Sequence, residues 1–201
     1  MRSTRDGIVI ENLTESAAAA RIGELARLRM TVFRAFPYLY DGSVDYEERY
    51  LQTYIRSPRA VIVSASDGGT IVGAATALPL ADASEEERAP FEAAGWDIGK
   101  VCYFGESVLL DDWRGRGIGV AFFTHREAHA RSLGLTTAVF CAVDRPVDHP
   151  ARPAGYVPLD DFWSKRGYRR IPLETTFSWK DLGDEEETAK RMLFWGKELT
   201  D

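Results

Sequence analysis

The sequence predicts a mixed α/β fold, and three observations support this prediction. Helical periodicity near the N-terminus gives way to an alternating hairpin pattern, after which strand-like and helical segments follow one another. A length of 201 residues suits one domain and is enough to bury a hydrophobic core. The chain is 45% hydrophobic and 28% charged, which is typical of a globular protein. We therefore expect a single domain over residues 1–201.

The N-terminal part of the chain is predicted to form a strand, two helices and a hairpin. A short apolar run predicts a strand over 8–13. Apolar positions at helical spacing predict helices over 17–33 and 46–55, separated by an aromatic loop. Two apolar runs flank an Asp-Gly-Gly turn and predict a β-hairpin, with strands over 60–66 and 71–78.

Beyond the hairpin, strand-like and helical patterns alternate. Short apolar runs predict strands over 101–110, 137–143 and 175–179. Helical spacing and capping signals predict helices over 85–94, 118–133, 160–166 and 184–199. The last of these helices is predicted from an amphipathic stripe formed by Met192, Trp195 and Leu199. Four prolines over 144–158 exclude a central strand or a helix interior, so an irregular loop is expected there.

Charge and cysteine content narrow the expected partners and location. A formal net charge of -6 repels phosphate backbones, which argues against nucleic acid and anionic membranes as partners. The polar N-terminal residues lead into no apolar run that resembles a signal peptide or a membrane span, so a cytoplasmic location is expected. Cys102 and Cys141 lie in apolar runs and are predicted to be buried, reduced thiols. The sequence leaves open whether the protein forms a homodimer.

The most informative segment runs from Val108 to Val120 and reads VLLDDWRGRGIGV. A strand leads into a turn with three alternate glycines, and a helix follows. Glycines let backbone N–H groups converge without obstruction by a Cβ atom. The first N–H groups of a helix lack intrahelical partners and carry partial positive charge. With Arg114 and Arg116 beside them, these groups are predicted to form a phosphate-binding cradle.

Three kinds of nucleotide site and a plain structural turn compete as explanations of this segment. A Rossmann fingerprint fits at Gly115 and Gly117 but requires a third glycine where Val120 stands. A Walker A loop requires Gly-Lys-Ser/Thr, which the segment does not contain. A merely structural turn does not need three glycines and two arginines. A pyrophosphate site of the acyl-CoA type therefore fits best.

At this point the sequence resembles a known family. Residues 114–119, Arg-Gly-Arg-Gly-Ile-Gly, look like the acetyl-CoA motif Gln/Arg-x-x-Gly-x-Gly/Ala of the GNAT (Gcn5-related N-acetyltransferase) family. The resemblance is strongest over 101–168, where the ending Lys165-Arg166-Gly167-Tyr168 is similar to the end of the family's late helix. It implies the acyl-CoA N-acyltransferase fold, a single, mixed, mostly antiparallel twisted sheet flanked by helices.

The resemblance also implies an activity and a cofactor site. The implied activity is acetyl-CoA-dependent transfer of an acetyl group to a primary amine of a small molecule, by direct attack and without a metal. Backbone N–H groups of the Gly-rich turn are expected to hold the pyrophosphate, and the preceding strand end pairs with pantetheine like an added strand. In the family that strand splays from the next one, here 137–143. The implied cofactor-binding residues are Ser107, Val108, Leu109, Arg114, Gly115, Arg116, Gly117, Ile118, Gly119 and Val120.

Glu106, on the strand before the motif, is the candidate general base. If strand alternation holds, it shares a face with Cys102, Phe104 and Val108, and apolar surroundings there would raise its pKa. The alternative is a twist or bulge near Gly105 that turns the carboxylate to solvent or into a structural hydrogen bond. The sequence does not decide between the two.

The general acid departs from the family pattern. The resemblance places the usual tyrosine four residues before Gly167, where this chain has Trp163, and an indole does not supply the proton. Tyr156 or water is the alternative source, although Tyr156 also fits a packed loop tyrosine. His125 and His129 lie four residues apart on one helix face and are expected to be satisfied core or boundary histidines rather than metal ligands.

The acceptor is expected between 33–40 and the loop 144–158, where the family places it. Aromatic residues of the first segment suit an apolar body or a cation. In the loop, Arg145 and Arg152 suit a carboxylate, whereas two aspartates suit an amine. These features favour a small amine or an amino-acid-like acceptor over a basic protein tail. The alternative function is a non-catalytic module that binds acyl-CoA and regulates a partner.

Overall fold

The computed structural model describes residues 1–199, apart from the side chain of Arg5. The strands are β1 Arg2–Arg5, β2 Ile8–Asn12, β3 Val61–Asp67, β4 Thr70–Pro79, β5 Val101–Tyr103, β6 Ser107–Leu109, β7 Thr137–Val143, β8 Arg169–Trp179 and β9 Thr188–Glu198. The helices are α1 Glu15–Ala20, α2 Ile22–Phe33, α3 Val44–Arg56, α4 Glu85–Ala93, α5 Ile118–Ser132 and α6 Asp160–Ser164.

Within these residues the strands form one mixed sheet, which confirms the predicted fold class. The strand order is β1-β2-β3-β4-β5-β7-β9-β8, and β6 pairs with β4. Every pair is antiparallel except β5 with β7. Buried side chains of α1 to α4 pack on one face of the sheet. Buried side chains of α5 and partly buried side chains of α6 pack on the other face. The site described below lies where β4 changes partners.

The strand β4 is central because it has partners along both edges. Nine consecutive residues from Ile71 to Pro79 are buried, as expected for an apolar strand covered by helices on both faces. One edge pairs with β3 in the predicted hairpin. The other edge pairs with β6 at its start and with β5 at Leu78 and Pro79. The predicted strand 101–110 is therefore two strands, β5 and β6, separated by residues 104–106.

The predicted helix 17–33 is divided at Arg21. This residue has φ -117° and ψ 14°, so the helical hydrogen-bond ladder is interrupted there. Its guanidinium bonds to Glu24 Oε2 at 2.7 Å and to the carbonyl oxygen of Gly69 at 2.8 Å. The break therefore lets the side chain tie the start of α2 to the turn of the β3–β4 hairpin.

The prediction of a C-terminal helix over 184–199 is wrong, because this segment contains the strand β9. It lies between β7 and β8 and is buried on both faces, with Met192 and Phe194 on one side of the sheet and Trp195 on the other. A strand covered on both faces shows a continuous apolar run instead of alternation. The spacing of Met192 and Trp195 then coincides with a helical stripe, which explains the error.

Two further differences occur at the edges of the sheet. The strand β1 was not predicted, because Arg2–Arg5 is a polar edge strand without apolar alternation. The strand β8 runs over eleven residues, well beyond the predicted 175–179, and its exposed and half-buried residues alternate along the other edge. Polar edge strands give a weak hydrophobic signal, so their limits are poorly defined by sequence.

Replacing Phe194 by alanine is expected to destabilise the fold by about 3–5 kcal/mol, since a large aromatic side chain in a core leaves a cavity when truncated. Phe194 is fully buried in β9, and its ring centre lies 4.8 Å from that of Phe91 in α4. Urea unfolding measures the change. Val147→Ala is the control, because Val147 is 83% exposed and its truncation should change the stability by less than about 0.5 kcal/mol. Equal midpoints for the two variants would contradict the placement of β9.

Candidate functional site

The central feature of the site is an opening in the sheet between β6 and β7. The strand β5 pairs with β7 in parallel from Val101 to Tyr103, whereas β6 pairs with β4 alone. In an antiparallel ladder, hydrogen-bonded residues alternate with residues whose polar groups point to the other edge. The N–H of Leu110 bonds to the oxygen of Val72 at 3.0 Å, so Ser107 and Leu109 present their backbone groups to the open edge. Among residues 1–199, no strand pairs with that edge.

A Gly-rich turn leads from this edge into α5. Gly115 and Gly117 have φ angles of +76° and +75°, a conformation that residues with a Cβ atom rarely adopt. Gly117 caps α5, and the first helical bond runs from the N–H of Ala121 to its oxygen. The N–H groups of 118–120 therefore have no partner within the helix. Together with the helix dipole, they form a site for an anion.

The remaining residues of the turn leave this anion site open. Gly119 lies under α6, where a Cβ atom would come within 3.2 Å of Phe162 Cζ. Arg114 is exposed and pairs with Asp111 at 2.8 Å, and Arg116 donates to the backbone oxygen of Asp112 at 2.9 Å. The exposed ion pair of Arg114 and the exposed hydrogen bond of Arg116 contribute little to stability, so these arginines are able to change partners when an anion binds. The turn and the open edge thus fit a pyrophosphate and an extended chain.

Glu106 lies in a bulge opposite Thr76. The N–H of Gly105 donates to the backbone oxygen of Thr76, and the N–H of Thr76 donates to the backbone oxygen of Glu106. Gly105 and Glu106 therefore both lie opposite Thr76, which defines a β-bulge. The extra residue shifts the alternation. Cys102 and Phe104 face the helix α5, but Glu106 faces α2 and α3. The expectation that Glu106 shares a face with Cys102 and Phe104 is therefore wrong, because a bulge lies at Gly105. The bulge decides the direction of the carboxylate and leaves its proposed role as a base untested.

The carboxylate of Glu106 is held by two side chains on one oxygen. Its Oε2 lies 2.8 Å from Nη1 of Arg29 and accepts a hydrogen bond of 2.9 Å from the hydroxyl of Tyr50. Burial raises the pKa of Tyr50 well above its usual value, so the phenol stays protonated and donates. No hydrogen bond from residues 1–199 reaches Glu106 Oε1. One oxygen is thus anchored and the other is available.

Arg29 is a buried cation shared by two carboxylates. It pairs with Glu47 through Nε and with Glu106 through Nη1, and its side chain is only 9% exposed. The guanidinium also lies over the ring of Tyr50, with Cζ 4.1 Å from the ring centre. A buried charge is stable only when it is paired and hydrogen-bonded, which this arrangement achieves for Glu106. We call Arg29, Glu47, Tyr50, Tyr54 and Glu106 the Arg29 cluster.

A second buried arginine supports the backbone of the bulge. Nη1 of Arg126, in α5, donates to the oxygen of Glu106 at 3.2 Å and to that of Thr76 at 3.4 Å. Its guanidinium stacks on Phe104, with Cζ 4.3 Å from the ring centre. Burial lowers the pKa of Arg126 to about 10, so it remains charged at neutral pH. The helix that begins at the Gly-rich turn is in this way connected to the residue that carries the carboxylate.

Tyr156 lies on the acceptor side, in the loop 144–158. It is half-buried and packs edge-to-face on Phe36, with ring centres 4.7 Å apart. Desolvation raises its pKa, so its hydroxyl keeps the proton at neutral pH. Trp163, at the position where the resemblance places a tyrosine, packs between Phe140 and Trp195, each at 5.1 Å. Trp163 is therefore partly buried against the core on the α5 side of the sheet.

The structure brings together the two segments that the sequence assigned to the acceptor. Arg145 donates to the backbone oxygens of Pro37 and Tyr38 and pairs with Asp181 at 2.7 Å. Because these partners occupy its guanidinium, Arg145 does not match the expected role of a carboxylate ligand. Asp144 is likewise engaged, with Arg191 at 3.2 Å. Arg145 instead fixes the loop 144–158 to the aromatic loop.

The histidines and cysteines have structural surroundings. His125 Nδ1 lies 2.7 Å from Asn12 Oδ1, and burial lowers its pKa, so it stays neutral. His129 Nε2 lies 2.8 Å from the oxygen of Arg59. Both match the predicted core or boundary role. Cys102 and Cys141 are buried and free, as predicted. Over residues 1–199, no group of three His, Cys, Asp or Glu side chains is arranged to hold a metal, and no helix is long and apolar enough to cross a membrane.

Sequence reasoning missed Arg29 and Tyr50. Arg29 lies within a predicted helix, and Tyr50 within the next one, where a charged or aromatic residue is ordinary. Their partner Glu106 is distant in the chain, and 56 positions separate it from Tyr50. A local pattern does not reveal such a contact. The helical face shared by Arg29 and Leu25 hints only that a charge lies on a buried stripe.

Replacing Gly105 by alanine is expected to displace the bulge and cost about 1–3 kcal/mol, the usual penalty for overpacking. A Cβ atom there would lie 2.6 Å from Thr76 Oγ1 and closer still to the hydroxyl of Tyr54. Urea unfolding measures the loss. The double variant Gly105→Ala/Tyr54→Phe removes the nearest oxygen and should recover part of it. No change in stability for Gly105→Ala would show that the contact is not tight.

Comparison with known proteins agrees with this geometry. The model of the Acetyltransferase (GNAT) family matches residues 25–154, which is more than half of the chain. This range holds the Arg29 cluster, the bulge and the Gly-rich turn. No curated protein sequence matches the chain significantly.

Several solved structures share the fold over nearly the whole chain. Ribosomal-protein-alanine N-acetyltransferase from Brucella melitensis has a TM-score of 0.62 at 16% identity, covering 94% of this chain and 98% of that one. The protein yncA from Salmonella typhimurium, solved with its cofactor acetyl-CoA, has a TM-score of 0.62 at 10% identity. The match covers 96% of this chain and 95% of that one. Aminoglycoside 6'-acetyltransferase type Ii has a TM-score of 0.59 at 16% identity, with 96% and 97% covered.

At these identities the structural likeness establishes the fold, and the family model establishes membership. The split of β5 and β6, the Gly-rich turn and the helix α5 all lie inside the matched range. On this evidence, the chain belongs to the acetyltransferase (GNAT) family.

Proposed function

We propose that this GNAT acetyltransferase transfers an acetyl group from acetyl-CoA to the primary amine of a small molecule, with Glu106 as the general base. The observation that carries the proposal is the half-anchored carboxylate of Glu106. It lies next to the open edge of β6, in a chain whose family uses an acetyl thioester. A carboxylate with one fixed and one free oxygen is suited to accept a proton from a bound amine.

The cofactor contacts follow from the open edge and the Gly-rich turn. The N–H groups of 115–120 would bind the pyrophosphate of CoA, and exposed Arg114 and Arg116 would add charge. The free backbone groups of Ser107 and Leu109, together with Val108 between them, would pair with pantetheine as an added strand does. Acetyl-CoA supplies the activated acetyl group. Both sets of backbone groups are fixed by strand and helix, so the binding site is largely preformed.

Proton handling on the acceptor side falls to two residues. Glu106 Oε1 would accept the proton that the ammonium group loses before it attacks. Arg29 and Tyr50 would orient the carboxylate through its other oxygen. Tyr156 keeps its proton at neutral pH and is our candidate for the general acid, because Trp163 has no acidic proton to give. The Arg29 cluster would thus position the base, and the loop 144–158 would carry the acid.

The aromatic rings near the proposed acceptor site argue against a basic protein tail as the acceptor. Arg29 lies over Phe33 and Tyr50, and Arg145 and Lys190 lie over Trp179. Because the chain's own cations already occupy these faces, few remain for lysine or arginine side chains of a polypeptide. A small amine needs fewer contacts. This supports the choice of a small-molecule acceptor.

Gly117→Glu should abolish acetyl-CoA binding, since a carboxylate in the turn would repel the pyrophosphate. Isothermal titration calorimetry with acetyl-CoA measures the affinity. Gly117→Ala is the matched control, because it carries the same strain at φ +75° without the charge. We expect a much smaller loss of affinity for the alanine variant. Wild-type affinity in Gly117→Glu would remove the turn from the cofactor site.

Glu106→Gln should reduce turnover by about 10²–10⁴-fold below about pH 8, and by much less at high pH, where the amine is deprotonated without help. The glutamine keeps the size of the side chain but does not take up a proton. The measurement is the rate of CoA release at saturating acetyl-CoA over a range of pH.

The control for this experiment is Glu47→Gln. Glu47 is fully buried and is the other carboxylate bound to Arg29, so its substitution disturbs the same ion pairs. Its effect on turnover should not depend on pH in the manner of Glu106→Gln. If the ratio of Glu106→Gln to wild-type rates is the same at every pH, Glu106 is a structural partner of Arg29 and not the base.

A further inference from the structure

Arg152 is a cation that the proposed reaction leaves unused. Its Cζ lies 4.8 Å from the ring centre of Tyr156 and 5.8 Å from that of Phe36. The two rings pack edge-to-face on each other, with centres 4.7 Å apart. All three side chains are half-buried. We call Arg152, Phe36 and Tyr156 the Arg152 platform.

The other cations on this side are already neutralised. Arg145 and Lys190 both pair with Asp181, at 2.7 and 3.3 Å. Arg29 pairs with Glu47 and Glu106. Within residues 1–199, the guanidinium of Arg152 forms no ion pair and donates no hydrogen bond. It is therefore the one arginine or lysine among these four that is able to bind an anion without first losing a partner.

The platform also limits where the guanidinium lies. The rings of Phe36 and Tyr156 meet at 84°, and Cζ of Arg152 is nearer to the ring centre of Tyr156, at 4.8 Å, than to that of Phe36. A contact with ring carbons uses none of the guanidinium N–H groups, and these donors have the paired spacing that matches the two oxygens of a carboxylate. Since the rings hold the side chain before a ligand arrives, less conformational freedom is lost on binding. A planar anion such as a carboxylate is the ligand that fits this geometry.

The platform lies on the same side of the sheet as Glu106, along a wall of aromatic residues. The guanidinium of Arg29, which holds Glu106, is 5.1 Å from the ring centre of Phe33. Phe33 packs on Tyr38 at 4.6 Å, and Phe36, two residues before Tyr38 in the same loop, packs on Tyr156 at 4.7 Å. At one end of this wall lies the Oε1 atom of Glu106, which accepts no hydrogen bond from residues 1–199. At the other end lies the guanidinium of Arg152, which is unpaired within the same residues.

We propose that Arg152 binds a carboxylate of the acceptor, so that the acceptor is an amine that also carries a carboxylate, as in an amino acid. This inference rests on the proposed function, because it assigns the second end of the same acceptor. The amine end lies toward Glu106 and the carboxylate end toward Arg152. The distance between the amine and the carboxylate of an amino acid therefore determines whether it fits between Glu106 and Arg152.

The test compares acceptors that differ only in the carboxylate. Glycine, β-alanine, γ-aminobutyrate and L-phenylalanine are each assayed beside their carboxamides, and kcat/KM is obtained from CoA release. Amides have amines of different basicity, so the quantity compared is the ratio of wild type to Arg152→Gln for each acceptor. We expect the variant to lose about 10–100-fold on the best carboxylate acceptor, as for a lost hydrogen-bonded ion pair, and less than about twofold on its carboxamide.

Two further variants separate the roles of the paired donors and the charge of Arg152 from nonspecific effects of removing an arginine. Arg152→Lys keeps the charge without the paired donors and should lose an intermediate amount. Arg170→Gln removes an exposed arginine that stacks on Trp195 at 5.9 Å in β8, and should leave all ratios at one. The thermal unfolding of all three variants should match that of wild type.

The outcomes distinguish this inference from the proposed function. If amines are acetylated but Arg152→Gln affects acid and amide equally, or no carboxylate-bearing amine is accepted, the carboxylate role of Arg152 is wrong and the proposed function stands. A loss of acetyl-CoA affinity in Arg152→Gln, measured by calorimetry, would make Arg152 a cofactor ligand and overturn the inference. If no amine of either kind releases CoA although acetyl-CoA binds, the proposed function fails and this inference fails with it.

Discussion

The bulge that sets Gly105 and Glu106 against Thr76 is the constraint on which the site depends. The strand β4 pairs with β5 at one end and β6 at the other, and one extra residue separates the two registers. That residue changes the alternation and turns Glu106 toward α2 and α3. On the far side of the bulge, β6 pairs with β4 and with no other strand of residues 1–199. The opening between β6 and β7 and the direction of the carboxylate therefore both arise where β4 changes partners.

Burying this bulge requires charges that balance locally. On the face covered by α2 and α3, Arg29 forms ion pairs with two carboxylates. On the opposite face, Arg126 donates hydrogen bonds to two backbone oxygens. Removing one member of such a set leaves an uncompensated buried charge, which is why the members depend on one another. The glycine at 105 is part of the same arrangement, since the hydroxyls of Tyr54 and Thr76 occupy the space of a side chain. Packing and electrostatics thus fix the position of Glu106 together.

The sequence was sufficient for those parts of the site whose constraints are local. Positive φ at Gly115 and Gly117 and the free N–H groups of a helix start are properties of neighbouring residues, so the motif revealed them. The contacts of Glu106 are different, because Arg29 and Tyr50 are brought to it by packing of α2 and α3 on the sheet. The strand β9 was mistaken for a helix because burial on both faces removes the alternation that identifies a strand.

The position of β9 has a consequence for how the protein is made. Within residues 1–199 it is the last element in chain order, yet it lies between β7 and β8 and pairs with both. The Gly-rich turn and α5 are synthesised well before it, so this part of the fold can assemble while the sheet still lacks β9. Until β9 has emerged, the apolar strand β7 has one unpaired edge, a template for association with other chains. Asp181, which pairs with Arg145, and Lys190, which pairs with Asp181, are also synthesised late. The ion pairs that fix Arg145 in the loop 144–158 therefore form only after β8 and the start of β9 have been synthesised.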